Sequence, residues 1–338
     1  MEPPEAPALA HPLPFRLLAS RPTTWDPASV RVHMNLRMDG CIVPSQADPG
    51  GARLAYSHVV VLDGFVDDAT RRELRAFLVD DPGSSGPAGA AAPLLPPDRW
   101  ERRTADMAGA APTWGVRGGV LEALAAGRPP AVVEVQSRLR ALYPEYDVAH
   151  MPSAAIQGGP AAADCSAFLA NAAAEGDTFR YHVDADPTSF PPGPWADAYG
   201  DYFNGEPGRP LLVSLLLYLD DEWGRDWAAD TLFLDADTDT GVFVRPRAGR
   251  AVLMDQDVLH RVSPPSGAAG GRPRLSLVWK LALLPRREGQ ACCLARPEWG
   301  PPDSFGSAAR VEAVKRQLAG KRRRAAAGEA PAPAPPAA

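Results

Sequence analysis

Two side chains that commonly hold metals sit two positions apart in Phe179-Arg180-Tyr181-His182-Val183-Asp184-Ala185-Asp186-Pro187. Alternate side chains of an extended strand leave the same face, so the His182 imidazole and the Asp184 carboxylate are predicted to point into one cavity. A second imidazole follows in Asp257-Val258-Leu259-His260-Arg261-Val262, just past the apolar strand Ala251-Val252-Leu253-Met254. Two imidazoles and one carboxylate on one face of a divalent cation leave the opposite face open, an arrangement suited to O2 activation at non-haem Fe(II). A His-x-Asp tripeptide alone is ordinary on a solvent-facing strand, and His260 alone reads equally as a capping or core histidine. Asp186 would share the face of Asp184 and orient a ligand, or else close a turn before Pro187.

Further residues sharpen that chemistry. In Arg274-Leu275-Ser276-Leu277-Val278-Trp279 a guanidinium fork and a hydroxyl share one strand face. That pair can hold a carboxylate through two parallel charge-assisted bonds. Tyr218 interrupts the apolar run Leu211 to Leu219, and a buried phenol needs a polar partner: a backbone carbonyl, or the carboxylate that Arg274 would hold.

The elements that position these residues can be read in outline. Val59 to Leu62 reads as a buried strand and Asp63-Gly64 as a turn. Asp67 or Asp68 can cap a helix through about Val79, with Leu74, Phe77 and Leu78 inward. Residues 82–98, rich in Gly, Ser, Ala and Pro, read as a surface loop. A second amphipathic helix is expected over Ala131 to Leu142, ended by Pro144. Then come strands at Ser166 to Ala170, Thr178 to Val183, Leu211 to Leu219, Thr231 to Leu234, Val242 to Arg245, Ala251 to Met254 and Leu275 to Leu283. Helices followed by antiparallel-type strands predict a mainly β, α+β fold: a double-stranded β-helix, or jelly roll, with flanking helices. The expected division is an N-terminal arm at 1–55, partly disordered; a domain at 56–296 with helical support at 56–160 and its β core at 165–285; and a largely disordered tail at 297–338. The 187–209 insertion carries Trp195, Tyr199, Tyr202 and Phe203, and a loop of that length reads as a lid or substrate-binding segment.

Taken together, residues 56–285 resemble the Fe(II)/2-oxoglutarate-dependent dioxygenases, in particular the prolyl-hydroxylase-like branch. The resemblance is carried by His182-Val183-Asp184, Leu215 to Trp223, Trp227 to Phe233, Val244 to Leu253, His260, and Arg272-Pro273-Arg274-Leu275-Ser276-Leu277-Val278-Trp279. It implies that His182, Asp184 and His260 ligate iron. It further implies that Arg274, with Tyr218 and Ser276, binds the far carboxylate of 2-oxoglutarate, Arg272 being the alternative anchor. O2 would be the cosubstrate, L-ascorbate a possible reductant, and succinate and CO2 the co-products of hydroxylation. The substrate would be a peptide, a protein side chain or a small metabolite. Three departures stand out. Ala228-Ala229 replaces a frequent Gly-Gly. Arg274 replaces the Lys of collagen-type prolyl hydroxylases. The insertion at 187–209 lengthens the interval between His182 and His260.

Two other functions compete. Oxidation of methylated nucleobases would use the same iron, with Lys321 to Arg324 as a nuclear signal or phosphate contact and Trp195, Tyr199 and Tyr202 as a stacking surface. A metal-binding β module without turnover is the other. The net charge of −6 argues against global attraction to nucleic acid or anionic membrane, though a local basic groove stays open. The chain of 338 residues has room for one large or two modest domains, and its 38 Pro and 30 Gly concentrate in particular stretches. The four cysteines, Cys41, Cys165, Cys292 and Cys293, form no Cys-x-x-Cys pair, which points to a reducing compartment. The longest mostly apolar run falls far short of the roughly 20 residues that span a bilayer, and Met-Glu-Pro-Pro-Glu lacks a basic leader. A soluble intracellular protein, cytoplasmic or nuclear, is the expectation; composition gives no oligomeric state.

Overall fold

The computed structural model describes residues 8–44, 51–79, 95–104, 112–152, 156 and 168–326. Cys165, most of the predicted loop at 82–98 and the Ala/Pro-rich end lie outside them. The chain runs through β1 (Arg31–Pro44), β2 (Ala52–Asp63), α1 (Asp68–Val79), β3 (Trp100–Thr104), β4 (Pro112–Val116), α2 (Gly118–Gly127), α3 (Pro130–Leu142), β5 (Tyr146–His150) and β6 (Phe168–Ala173). It continues through β7 (Leu211–Tyr218), β8 (Thr231–Asp235), β9 (Thr240–Val244), β10 (Ala251–Asp255), β11 (His260–Val262), β12 (Arg274–Pro285), β13 (Asp303–Ser304) and a C-terminal helix, Gly306–Ala326. The protein is thus mostly β with some helices.

Two sheets form. The larger is ordered β13-β1-β2-β10-β7-β12-β6-β4-β3, with β5 also paired to β12; the smaller is β11-β8-β9. Pairing is antiparallel except between β1 and β13, so the large sheet is mixed. Alternation of side chains divides its residues between two cores. One face, carrying Val60, Leu62, Leu215, Leu217, Leu253, Leu277 and Trp279, packs on Leu74 and Leu78 of α1 and Val135 and Leu139 of α3. The other, carrying Val59, Val61, Leu216, Tyr218, Val252, Met254 and Val278, packs on Phe233, Val244 and Val258 from the small sheet and its flank. β7, β10 and β12 are therefore apolar on both faces, which explains their near-continuous hydrophobic sequence.

Several expectations need revision. Thr178 to Val183 forms no regular strand; the backbone there pairs only through an isolated bridge between His182 and His260. The N–H groups of Asp184 and Ala185 both turn to the Gln256 carbonyl, and Asp186 caps the short 3-10 turn Pro187–Ser189, so the chain bends before a ladder can grow. Arg31–Pro44, read as part of an arm, is a 14-residue strand hydrogen-bonded along β2. Val32, Met34, Leu36 and Met38 alternate with polar residues as a half-buried strand requires, a signal the arm reading passed over; register shifts interrupt the pairing after Val32 and after Met38, and only Leu36, Met38 and Val43 are buried. The segment from residue 297, read as a largely disordered tail, carries the helix Gly306–Ala326, which lies on β1.

In the 187–209 insertion Trp195, Tyr199 and Tyr202 are 1%, 5% and 2% exposed. Trp195 meets Phe190 and Phe15 of the N-terminal segment edge-on, Tyr199 packs between Trp195 and Tyr202, and the Tyr202 hydroxyl donates to the Pro210 carbonyl at 2.9 Å. These rings build a third core cluster and offer no open face for a base or a substrate.

At the second register shift in β1, Gly40 passes directly beneath the C-terminal helix, and a Cβ there would overlap the backbone of Ala308. Gly40→Ala must push helix and strand apart, and should cost about 1–3 kcal/mol in equilibrium denaturation. Unchanged stability would mean that the helix is not seated on β1.

Candidate metal centre

His182, Asp184 and His260 converge: ligand-capable atoms of all three lie within 4.8 Å of one another. The bridge that pairs His182 with His260 is closed by two backbone hydrogen bonds of 2.9 Å each, which sets the two rings side by side with centroids 4.5 Å apart. Asp184 follows two residues after His182 and, although no strand forms there, its side chain still returns to the same side. Its Oδ1 lies 3.7 Å from His182 Nε2 and 3.8 Å from His260 Nε2.

The surrounding hydrogen bonds decide which atoms face that gap. Nδ1 of His182 lies 3.1 Å from the Arg180 carbonyl, and Nδ1 of His260 lies 3.0 Å from the Val258 carbonyl. A carbonyl can only accept, so each Nδ1 carries the proton and each Nε2 keeps its lone pair for the gap. Asp184 Oδ2 is taken up by the Ser214 hydroxyl at 2.7 Å and by the Lys280 ammonium, which leaves Oδ1 for the gap. Burial works against a charge on Asp184, but Lys280, His260 and Ser214 outweigh it and hold the carboxyl below its usual range. Burial pushes the His260 imidazole down to about 4 despite the nearby carboxylate, so it is neutral at physiological pH. The donor set fits a divalent metal: two imidazole Nε2 atoms and an ionised oxygen, each side chain with its other end anchored.

The register between β7 and β12 extends the site away from these ligands. Directly opposed pairs on the inner face are Ser214 with Lys280, Leu216 with Val278, and Tyr218 with Ser276. Lys280 and Ser214 hold Asp184 at one end of this row, and Arg274 lies at the other. Arg274 is fully buried, its carbon 5.3 Å from the Tyr218 ring centroid. It donates to the Ala229 carbonyl at 3.2 Å, to Thr231 Oγ1 at 3.5 Å and to Ser276 Oγ at 3.1 Å, while its Nε has no partner. Among the described residues no carboxylate lies within 4 Å of it, so a buried cation is met only by neutral acceptors. That is costly unless an anion joins it. Arg272, by contrast, is exposed over the Trp227 ring. The Tyr218 hydroxyl is hydrogen-bonded to Thr231 Oγ1 at 2.7 Å, and Ser276 donates to Asn171 Oδ1 at 2.6 Å.

Asp186 accepts from Thr188 and serves the turn, taking no part in holding a ligand. Lys280, Ser214, Thr231 and Asn171 were missed by reading the sequence. For two of them a signal existed: Ser214 and Lys280 are polar interruptions of apolar strands, at even spacing from Tyr218 and Arg274 respectively, and so on the same faces.

Ala228 and Ala229, which stand where Gly-Gly is frequent in the resembled family, have φ of 54° and 62°. Both are in the region that favours glycine, and the ψ of −135° at Ala228 lies outside the ordinary left-handed well. The strain is held in place by bonds from Trp223 Nε1 to the Ala228 carbonyl at 2.7 Å and from Arg274 to that of Ala229. A backbone carbonyl of the Arg274 cradle is thus presented by a strained turn.

No family model matches the chain, and no curated protein matches it. Among solved structures, a Pseudomonas putida prolyl-4-hydroxylase overlaps 68% of this chain and 93% of its own, at 18% identity and a TM-score of 0.31. A Trichoplax adhaerens prolyl hydroxylase, solved in complex with a hypoxia inducible factor oxygen degradation domain peptide fragment, overlaps 67% and 83%, at 13% identity and 0.32. A 2OG-Fe(II) oxygenase family oxidoreductase from Burkholderia pseudomallei overlaps 69% and 88%, at 15% identity and 0.31. Scores at this level define neither family nor substrate.

Two measurements check the site. Ser214→Ala frees one side of Asp184 without changing charge, and should weaken Mn(II) binding about tenfold, measured by calorimetry on the folded protein; unaltered affinity would remove Ser214 from the metal centre. Ala228→Gly should raise unfolding stability by ~1 kcal/mol, because relief of the turn exceeds the added entropy of the unfolded chain. A loss of stability would contradict the strained geometry.

Proposed function

We propose that this chain is an Fe(II)- and 2-oxoglutarate-dependent dioxygenase that hydroxylates a C–H bond of a peptide, a protein side chain or a small metabolite. The two-sheet core, with β7, β10 and β12 facing β8, β9 and β11, reads as its double-stranded β-helix. The observation that carries the proposal is a conjunction on one face of β12. At one end Lys280 braces a carboxylate that meets two imidazoles; at the other a buried guanidinium is hydrogen-bonded only to neutral acceptors.

His182, Asp184 and His260 would hold the iron, and Arg274, with Ser276 and Thr231 beside it and Tyr218 against its face, would take the far carboxylate of 2-oxoglutarate. Iron and the keto acid supply the oxidising chemistry when bound: O2 is consumed, one oxygen atom goes to the substrate and the other to succinate, and CO2 leaves. The work of the chain is positional. Fixed Nδ1–H bonds keep both Nε2 lone pairs aimed at the metal site, so little reorganisation accompanies binding. The apolar pair Leu216 and Val278 separates the two charged ends and keeps water away between them. His182 is the open side, its side chain 33% exposed against 7% for Asp184 and 8% for His260, so substrate would approach there. The buried insertion aromatics do not favour the nucleobase reading. Among the described residues no helix is long and apolar enough to cross a membrane.

The test is succinate release from 2-oxoglutarate with Fe(II) and O2, with and without candidate peptides. Arg274→Leu should leave Mn(II) binding intact while raising the KM for 2-oxoglutarate ~100-fold, the loss expected when one partner of a buried charge pair is removed. An unchanged KM would exclude Arg274 as the anchor, and turnover that persists in His260→Ala would exclude the iron assignment.

A further inference from the structure

A second cluster of reactive side chains lies outside the metal centre. The Cys293 Sγ is 3.7 Å from His58 Nε2. His58 Nδ1 is 3.2 Å from Asp255 Oδ2, and the His58 backbone N–H donates to the same oxygen at 2.8 Å. Three separate segments converge to build it: β2 brings His58, the end of β10 brings Asp255, and the segment after β12 brings Cys293. His58 is 8% exposed and Asp255 1% exposed, while Cys293 is only partly buried. A carboxylate that orients and charges an imidazole, whose far nitrogen faces a sulfur, is the geometry that activates a thiol nucleophile.

The order along the chain of contacts fixes the role of each group. Asp255 receives the Nδ1–H and leaves Nε2 directed at Cys293. The titratable groups facing His58 are Asp255 and Cys293; around those two, Tyr143, Tyr146 and Cys292 interact with Cys293, and Tyr143 and Asp257 with Asp255. Burial alone would strip the proton from His58, but its bonds to Asp255 and Cys293 outweigh burial and raise it to about 10. The imidazole is therefore a cation at neutral pH, placed to stabilise negative charge on sulfur. The Cys293 backbone N–H donates to the Tyr146 hydroxyl at 3.1 Å, which fixes the residue carrying the sulfur. Neighbouring Cys292 is different: it is buried, its Sγ donates to the Arg209 carbonyl at 3.2 Å, and burial pushes its thiol up to about 11.

We propose that Cys293, His58 and Asp255 form a reactive thiol site that undergoes exchange with low-molecular-weight disulfides. The Cys293 sulfur attacks one sulfur of the disulfide and forms a mixed disulfide. The second half leaves as a thiolate and takes up the proton that His58 held. Cys293 is oxidised, the small disulfide is reduced, and no other reagent is needed. The site stands independently of the metal centre and requires no metal.

The experiment uses the full chain and needs no assay of turnover. Iodoacetamide alkylation is followed by mass spectrometry at Cys41, Cys292 and Cys293 from pH 6 to 9, with fragmentation separating the adjacent pair. Cys41 is an exposed internal control whose thiol is pushed up by burial and by Asp257. At pH 6.5 Cys293 should react on the order of tenfold faster than Cys41. Oxidised glutathione should form its mixed disulfide at Cys293 ahead of Cys41 and Cys292. His58→Gln and the isosteric Asp255→Asn should each bring the Cys293 rate down toward that of Cys41. Should either variant fail to fold, the wild-type rate ratio still decides. A Cys293 rate no greater than that of Cys41 across the pH range, in protein with native circular dichroism, would overturn the proposal.

Discussion

The register between β7 and β12 governs the site. Because side chains alternate along a strand, a slip of one residue would turn Ser214, Leu216 and Tyr218 to the opposite face and present their neighbours in their place. In the observed register, Ser214 stands opposite Lys280 and both reach Asp184; Tyr218 stands opposite Ser276 and packs on Arg274. Nothing local to those residues fixes the alignment. It is held by the apolar faces of both strands, one packed on α1 and α3 and the other on the small sheet, so either error in register would expose hydrophobic surface.

Against that rigid frame the site contains elements that stability alone would not select. Arg274 is a buried cation with only neutral acceptors, and Ala228 and Ala229 hold a backbone conformation that alanine resists. Both features belong to the same cradle, since the Ala229 carbonyl is one of the acceptors of Arg274. Strain and a buried cation hydrogen-bonded to no carboxylate meet at one place, as a preformed anion site would require. The metal-facing end is built differently. There each side chain that could hold a metal is supported: each imidazole by a carbonyl, and the carboxylate by Ser214 and Lys280.

Much of this was legible in the sequence because it rests on residue type and even spacing. His182, Asp184 and His260 were found that way, as were Arg274 and Ser276 on one face of β12, and the start and end of α3 to within a residue. The Asp67 cap was also legible; its Oδ1 accepts from the Thr70 N–H at 2.8 Å. What escaped depends on pairing between distant segments. In β1 the alternating Val32, Met34, Leu36 and Met38 do mark a strand, but nothing in them names β2 as the partner that makes it part of the fold. The His182 segment was expected to form one, yet it meets β11 through a single bridge. Lys280 reads as a lone charge within an apolar run until Ser214 is placed opposite it. The insertion aromatics read as a binding surface because spacing cannot tell a ring that faces solvent from one that meets Phe15 of a segment far upstream.

The central claim is that one divalent cation and one dicarboxylic keto acid share the inner face of β12. It is tested most directly by a crystal structure of the protein with Mn(II) and 2-oxoglutarate. The account predicts the metal on His182 Nε2, Asp184 Oδ1 and His260 Nε2, with the far carboxylate of the acid paired to the Arg274 guanidinium beside Ser276. Metal bound at other residues, or a keto acid that leaves Arg274 without an anion, would contradict it.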